Sequence, residues 1–169
     1  MDFNQQFNSR AKAESGTLMD LVDPWTGDPV FAEDGTPCRV LVRGTASPTM
    51  QSLMRDKQRA AMAAHKKGSK EDEARVMEDV HIQLCDGAAP FIMGFENVSN
   101  GKTPATVDDA GWFLDLTFPE MGVKKDEDGN DATDKDGNPV FEMVNQPFAK
   151  QVADFAGKQA NRMGNATGR

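Results

Sequence analysis

Phe91-Ile92-Met93-Gly94-Phe95-Glu96-Asn97-Val98, a polar turn, and then Thr103-Pro104-Ala105-Thr106-Val107-Asp108-Asp109 form the stretch on which the fold is decided. An apolar patch gives way to a turn, and the turn to a helix start. Thr106 is placed to cap a helix whose first turn carries Asp108 and Asp109, the charge sign a helix N-terminus favours. Ala110, Trp112, Phe113 and Leu116 make that helix apolar, and Pro119 stops it. Further on, Asn145 is placed to cap a last helix with Pro147 in its first turn. Phe148, Val152 and Phe155 are spaced there by four and three. The helix is expected to end near Asn161 and to fray from Asn165.

Between these two helices, Lys124 to Pro139 is too hydrophilic to pack. It is either a long disordered loop or the tip of a β-hairpin. The arms of such a hairpin would lie near Met121-Gly122-Val123 and Val140-Phe141-Glu142-Met143-Val144.

Upstream the chain divides into three stretches. Residues 1–15 place Phe3, Phe7 and Ala11 at helical spacing, as a short helix or an ordered arm. Residues 16–44 read as a small antiparallel meander of two or three strands. Turn residues gather at Asp23-Pro24-Trp25-Thr26-Gly27-Asp28-Pro29 and at Glu33-Asp34-Gly35, and Arg39-Val40-Leu41-Val42-Arg43 alternates as a half-buried strand. Residues 47–86 read as a helical hairpin. Ser47 is the candidate cap, Pro48 suits the first helical position, and Met50, Leu53, Met54 and Ala61 lie near one face. Gly68 breaks the pair, Ser69 and Asp72 restart it, and Met77, Val80, His81 and Leu84 form the second face. The expected fold class is α+β and mainly α. A small N-terminal β meander precedes a bundle of about four helices, with residues 16–165 as one domain.

Composition narrows the function classes. The 169 residues carry a net charge of -8, which disfavours non-specific binding to nucleic acid or to an anionic membrane. No apolar run is long enough to span a bilayer, and the N-terminus lacks the basic and apolar regions of a signal peptide, so cytoplasmic residence is expected. With 38% hydrophobic and 7% aromatic residues the core is modest, and ten Met residues favour adaptable packing or an adaptable partner surface. Cys38 and Cys85 have no CxxC spacing and read as reduced thiols.

Chemistry-bearing patterns are weak. An EF-hand count from Asp126 puts Asp131 at the sixth position and Gly137 at the twelfth, and a count from Asp134 puts Pro139 at the sixth, so the calcium pattern fails. His65 and His81 have no neighbouring cysteine for zinc. Neither GxSxG nor a phosphate loop occurs, and adjacent helix residues such as Asp108 and Asp109 point in different directions. Arg55, Lys57, Arg59, Lys66, Lys67 and Lys70 lack interleaved aromatics and read as a solvated helix face. No enzyme, cofactor or metal is expected.

The order of phrases resembles tail assembly chaperones of long-tailed bacteriophages. Asp23-Pro24-Trp25-Thr26-Gly27-Asp28-Pro29-Val30 precedes a strand ending before Ser47-Pro48. Two helices follow, then Gly94-Phe95-Glu96-Asn97-Val98, Thr106-Val107-Asp108-Asp109-Ala110, and a final helix with Phe148, Gln151, Val152, Phe155 and Asn161. Phe95 stands where the family phrase usually has Trp, and Arg162 follows Asn161 where a large apolar residue is usual. The resemblance implies binding rather than catalysis, in the cytoplasm of the infected bacterial host. Such proteins coat the helical tape-measure protein, keep it soluble, and help recruit tail-tube subunits. Met50, Met54, Met77, Trp112, Phe148 and Phe155 are the candidate partner-binding residues, because Met is soft and aromatics give large contact areas. Weak self-association is also expected. The alternative is a minor structural protein retained in the virion.

Overall fold

Val40 and Val42 are fully buried, while Arg39 and Leu41, which alternate with them, are half-exposed, the two-residue alternation of a strand with one face on a core. A computed structural model describes residues 8–64 and 73–164. Helix α1 (Ser9–Ser15) comes first among the described residues, with Asn8 Oδ1 accepting the Ala11 N–H at 3.0 Å. The expected N-terminal helix or arm is represented by α1, and Phe3 and Phe7 lie outside the described residues. Strands β1 (Thr17–Asp20) and β2 (Arg39–Val42) pair antiparallel, Met19 opposite Val40. Helix α2 (Pro48–Ala64) begins where expected, its Met50 N–H capped by the buried Ser47 Oγ at 3.1 Å. Helix α3 spans Glu73–Ala88, and the expected break and restart at Gly68, Ser69 and Asp72 lie outside the described residues.

The chain then returns to the sheet. A short 3-10 turn (Ala89–Phe91) leads into β3 (Ile92–Glu96), which pairs antiparallel with β2, Val40 opposite Phe95. The register shifts between Leu41 and Val42. A small hairpin follows, β4 (Ser99–Asn100) with β5 (Thr103–Pro104). Helix α4 (Ala110–Asp115) comes next, then β6 (Met121–Val123) paired with β7 (Phe141–Met143), and finally α5 (Phe148–Gly164). Helix α5 packs against α1, α3, α4 and β2.

A bundle of about four helices behind an N-terminal meander is therefore not what forms. Among the described residues, five helices and seven strands occur, the strands in three small separate sheets. Two physical reasons account for the correction. Ile92–Glu96 supplies the third strand of the first sheet from the middle of the chain, in the order β1-β2-β3. Helix α4 has only six residues, less than two turns, and cannot serve as a bundle member. None of the helices in the described residues is long and apolar enough to cross a membrane.

Phe113 is the centre of the core. Its ring stacks on Phe148 at 4.6 Å and 11°, and meets Phe95 edge-on at 5.1 Å and 66°, so α4, α5 and β3 share one aromatic contact. Val40, Val42, Leu114 and Val152 complete the buried set around it. The expected cap at Asn145 is not made. Buried Asn145 instead accepts from Glu120 N at 2.9 Å and donates to Phe118 O at 2.8 Å, and Thr117 Oγ1 accepts the Phe148 N–H at 2.8 Å.

The two links β1–β2 and β6–β7 fold into one and the same unit. In the first, Leu21 N donates to Cys38 O, Val30 N to Leu21 O, and Cys38 N to Val30 O, at 3.0, 3.0 and 2.9 Å. In the second, Lys124 N donates to Val140 O, Ala132 N to Lys124 O, and Val140 N to Ala132 O, at 2.7, 2.8 and 2.9 Å. Each closed ring of three backbone segments carries two tight turns. Asp23, Asp34, Asp126 and Asp134 cap those turns through their carboxylates. Gly27, Gly35, Gly129 and Gly137 take φ between 76° and 83°, which only glycine adopts freely. The hydrophilic insertion thus has the hairpin form, and its Asp-x-Asp-Gly-Asn phrase occurs twice, at 126–130 and 134–138.

Candidate protein-binding surface

The five candidate binding residues whose side chains are described do not gather on one surface. Met50 is 2% exposed and belongs to the core, anchoring the first turn of α2 under the Ser47 cap. Trp112, Phe148 and Phe155 are partly buried and pack against the core. Met54 is 42% exposed, one turn beyond Met50 on α2. Met77 is on α3, and its side chain lies outside the described residues.

Other large apolar side chains reach solvent. Trp25 and Phe31 do so on the first double-turn unit, Leu116 and Phe118 after α4, and Met121, Phe141 and Val144 on the β6–β7 hairpin. Sequence reading missed these because a turn-rich, hydrophilic context hides an isolated aromatic. The available signal was strand alternation in Met121-Gly122-Val123 and Phe141-Glu142-Met143, which sets apolar residues on one face.

The hairpin is held to the rest of the molecule at its base. Val144 N donates to Glu120 O at 2.8 Å, Gln146 N to Pro24 O at 2.7 Å, and Trp25 Nε1 to Glu120 Oε1 at 3.1 Å. The first double-turn unit therefore abuts the root of the second. A Cβ at Gly122 would run into Val144 Cγ1, so a larger residue there would force the exposed Val144 side chain to shift.

One cluster carries reactive groups. His81 is buried, with Nε2 2.8 Å from Asp115 Oδ1 and its ring 4.7 Å from that of Phe118. Cys85 Sγ lies 3.7 Å from His81 Nε2 and 3.9 Å from Nδ1. A nucleophile–base–carboxylate relay needs thiol and carboxylate on opposite ring nitrogens. Here the sulfur stands nearly equidistant from both nitrogens, and Asp115 takes the one nearer to it. Burial, and then the Asp115 and Asp86 charges, push the Cys85 thiol up, away from the reactive thiolate. The cluster is a packing joint between α3, α4 and the 115–118 segment. Cys38, also a free thiol, donates to Asn97 O at 3.1 Å, and burial raises it too.

No group of three or more His, Cys, Asp or Glu among the described residues could hold a metal ion. Asp109 accepts from Thr106 N at 2.9 Å and from Asn100 Nδ2 at 3.0 Å, a capping role. In the basic run, Lys57 donates to Asp86 O and Arg55 to Gln51 O, while Arg59 lies 3.9 Å from Asp56. Lys66, Lys67 and Lys70 lie outside the described residues. No protein-family model, no curated protein and no solved structure matches this chain.

Proposed function

We propose that the chain is a non-enzymatic tail assembly chaperone of a long-tailed bacteriophage. In this reading it binds the tape-measure protein in the cytoplasm of the infected host, keeps it soluble and helps recruit tail-tube subunits. The order of sequence phrases suggests the family. The observation that supports a binding role is the spread of solvent-facing large apolar side chains over α2, the 116–118 segment and the β6–β7 hairpin. Dispersed contacts of this kind suit a long apolar helical partner better than a compact ligand. The net charge of -8 keeps such a complex in solution.

Co-expression with the tape-measure and tail-tube proteins of the same phage tests the reading. The expected result is a soluble complex containing tape measure, with tape measure insoluble when this chain is omitted. Absence of any complex, together with the chain in finished particles, would replace the chaperone by a minor structural protein of the virion.

A further inference from the structure

The β6–β7 hairpin has two unlike faces. Met121 stands opposite Met143 and Val123 opposite Phe141, so these four apolar residues share one face. Phe141 is 59% exposed and Met121 45%, while Val123 and Met143 are half-exposed. The other face carries Gly122 under Val144, and Glu142, with Glu120 and its partner Trp25 at the root. A two-stranded sheet with a bare apolar face is marginal alone in water.

Charge is distributed to match. Residues 120–142 hold eight carboxylates against three lysines, a net charge of -5. Residues 21–38, the twin unit at the hairpin's root, add four carboxylates and no cation. These two segments together carry -9, more than the -8 of the whole chain, so the remainder is close to neutral. The acidic side chains of the tip are not neutralised by neighbours in kind, Lys125–Asp131 being the ion pair formed there among the described residues.

We infer that the apolar face of the β6–β7 hairpin, Met121, Val123, Phe141 and Met143, docks a cationic amphipathic segment of a partner protein. The inference rests on the reading of the chain as a binder of an apolar helical partner, and it names the surface and the partner's charge. Apolar contact supplies affinity at the face, and the carboxylates of the adjoining tip steer and select lysine- or arginine-bearing segments. A second copy of this chain is the disfavoured occupant, since it would bring two tips of the same sign together.

The test uses the full chain and two synthetic helical peptides with the same leucine face, one bearing lysine and the other glutamate on the polar face. Fluorescence anisotropy should show binding of the lysine peptide, weakening with added salt, and none of the glutamate peptide. Phe141→Ala and Met121→Ala should each weaken binding about tenfold or more. The triple variant E127K/D128K/D136K should weaken it at low salt, and Ile82→Ala, an exposed apolar change on α3, should leave it unchanged. All these side chains are exposed, so unchanged circular dichroism and melting are expected of each variant. Equal binding of both peptides, or indifference to Phe141→Ala and Met121→Ala, overturns the inference. So does concentration-dependent self-association that Phe141→Ala abolishes, because a second copy would then cover the face. The two readings separate cleanly. Tape measure that co-purifies equally with wild type and Phe141→Ala leaves the chaperone standing and removes this surface. Peptide binding through the face without tape-measure capture does the reverse.

Discussion

The side-chain amide of Gln151 makes both backbone hydrogen bonds of Val22, 129 residues away in the chain. Its Oε1 accepts the Val22 N–H at 3.2 Å, and its Nε2 donates to Val22 O at 2.9 Å and to Gln146 O at 2.8 Å. The need arises from pairing geometry. Val22 bridges Pro29 as a non-hydrogen-bonded pair, Asp23 N donating to Asp28 O and Val30 N to Leu21 O, so the N–H and C=O of Val22 itself point away from Pro29. A glutamine on α5 takes both groups and fastens the last helix to the first sheet. Gln151→Leu keeps the volume and leaves Val22 unpaired in a part-buried site. The expected loss is about 2–3 kcal/mol, read as a lower urea midpoint with an unchanged slope.

Two kinds of glycine respond oppositely to the same change. Gly16 sits at φ 75° and ψ 169°, a region essentially closed to other residues, and a Cβ there would lie 2.8 Å from Met93 Sδ and 3.2 Å from Val42 O. Gly16→Ala is expected to destabilise by about 1–3 kcal/mol. Gly87 in α3 and Gly111 in α4 face open space. Alanine at either should stabilise by about 0.5–1 kcal/mol, because helical glycine costs backbone entropy. Thermal melts of the three variants check both signs.

The sequence carried most of the local structure and little of the assembly. Ser47-Pro48, the 16–44 strands and the insertion's hairpin arms were legible because caps, turn residues and alternation are local signals. Ile92–Glu96 was not legible as a strand. Its residues run apolar with no strict alternation, and its partner Val40 lies 50 and more positions away, a pairing no local pattern encodes. The Asn145 cap failed for a related reason, since tertiary partners at Phe118 and Glu120 outbid the local helix end. Among the candidate binding residues, spacing marked Met50, Phe148 and Phe155 as one-sided without saying whether that side met core or solvent. The core took them, and Phe141 of the hairpin was left outside.

Acid should weaken the fold through identifiable carboxylates. Hydrogen bonds hold five of them below their usual range: Thr49 on Glu14, Thr26 and Trp25 on Asp23, Thr36 on Asp34, Asn100 and Thr106 on Asp109, and Asn138 and Asp136 on Asp134. A carboxylate whose folded pKa is depressed binds fewer protons folded than unfolded. Its stabilisation is therefore present above the unfolded value, near about 4, and is lost as pH falls through the lower folded value. The melting temperature should be flat from neutral pH to about 5 and fall below about 4. Asp109→Asn should lower the plateau and flatten the descent, and a titration of melting temperature against pH shows whether it does.

Core and surface aromatics should separate by stability. Phe113 is 1% exposed and stands between Phe95 and Phe148, joining three elements that are far apart in sequence. Phe113→Ala removes the ring from both contacts and leaves a cavity that α4 and α5 cannot both close. The expected cost is about 3–5 kcal/mol, enough to unfold much of a marginal protein at physiological temperature. Phe141 is exposed, so Phe141→Ala should change stability by less than about 0.5 kcal/mol. Urea unfolding of the two variants side by side decides the matter. A large loss from Phe141→Ala would mean that the hairpin face is covered within the folded chain and is not free for a partner. A near-neutral result leaves that aromatic without a folding role and strengthens the case that its role is contact with another protein.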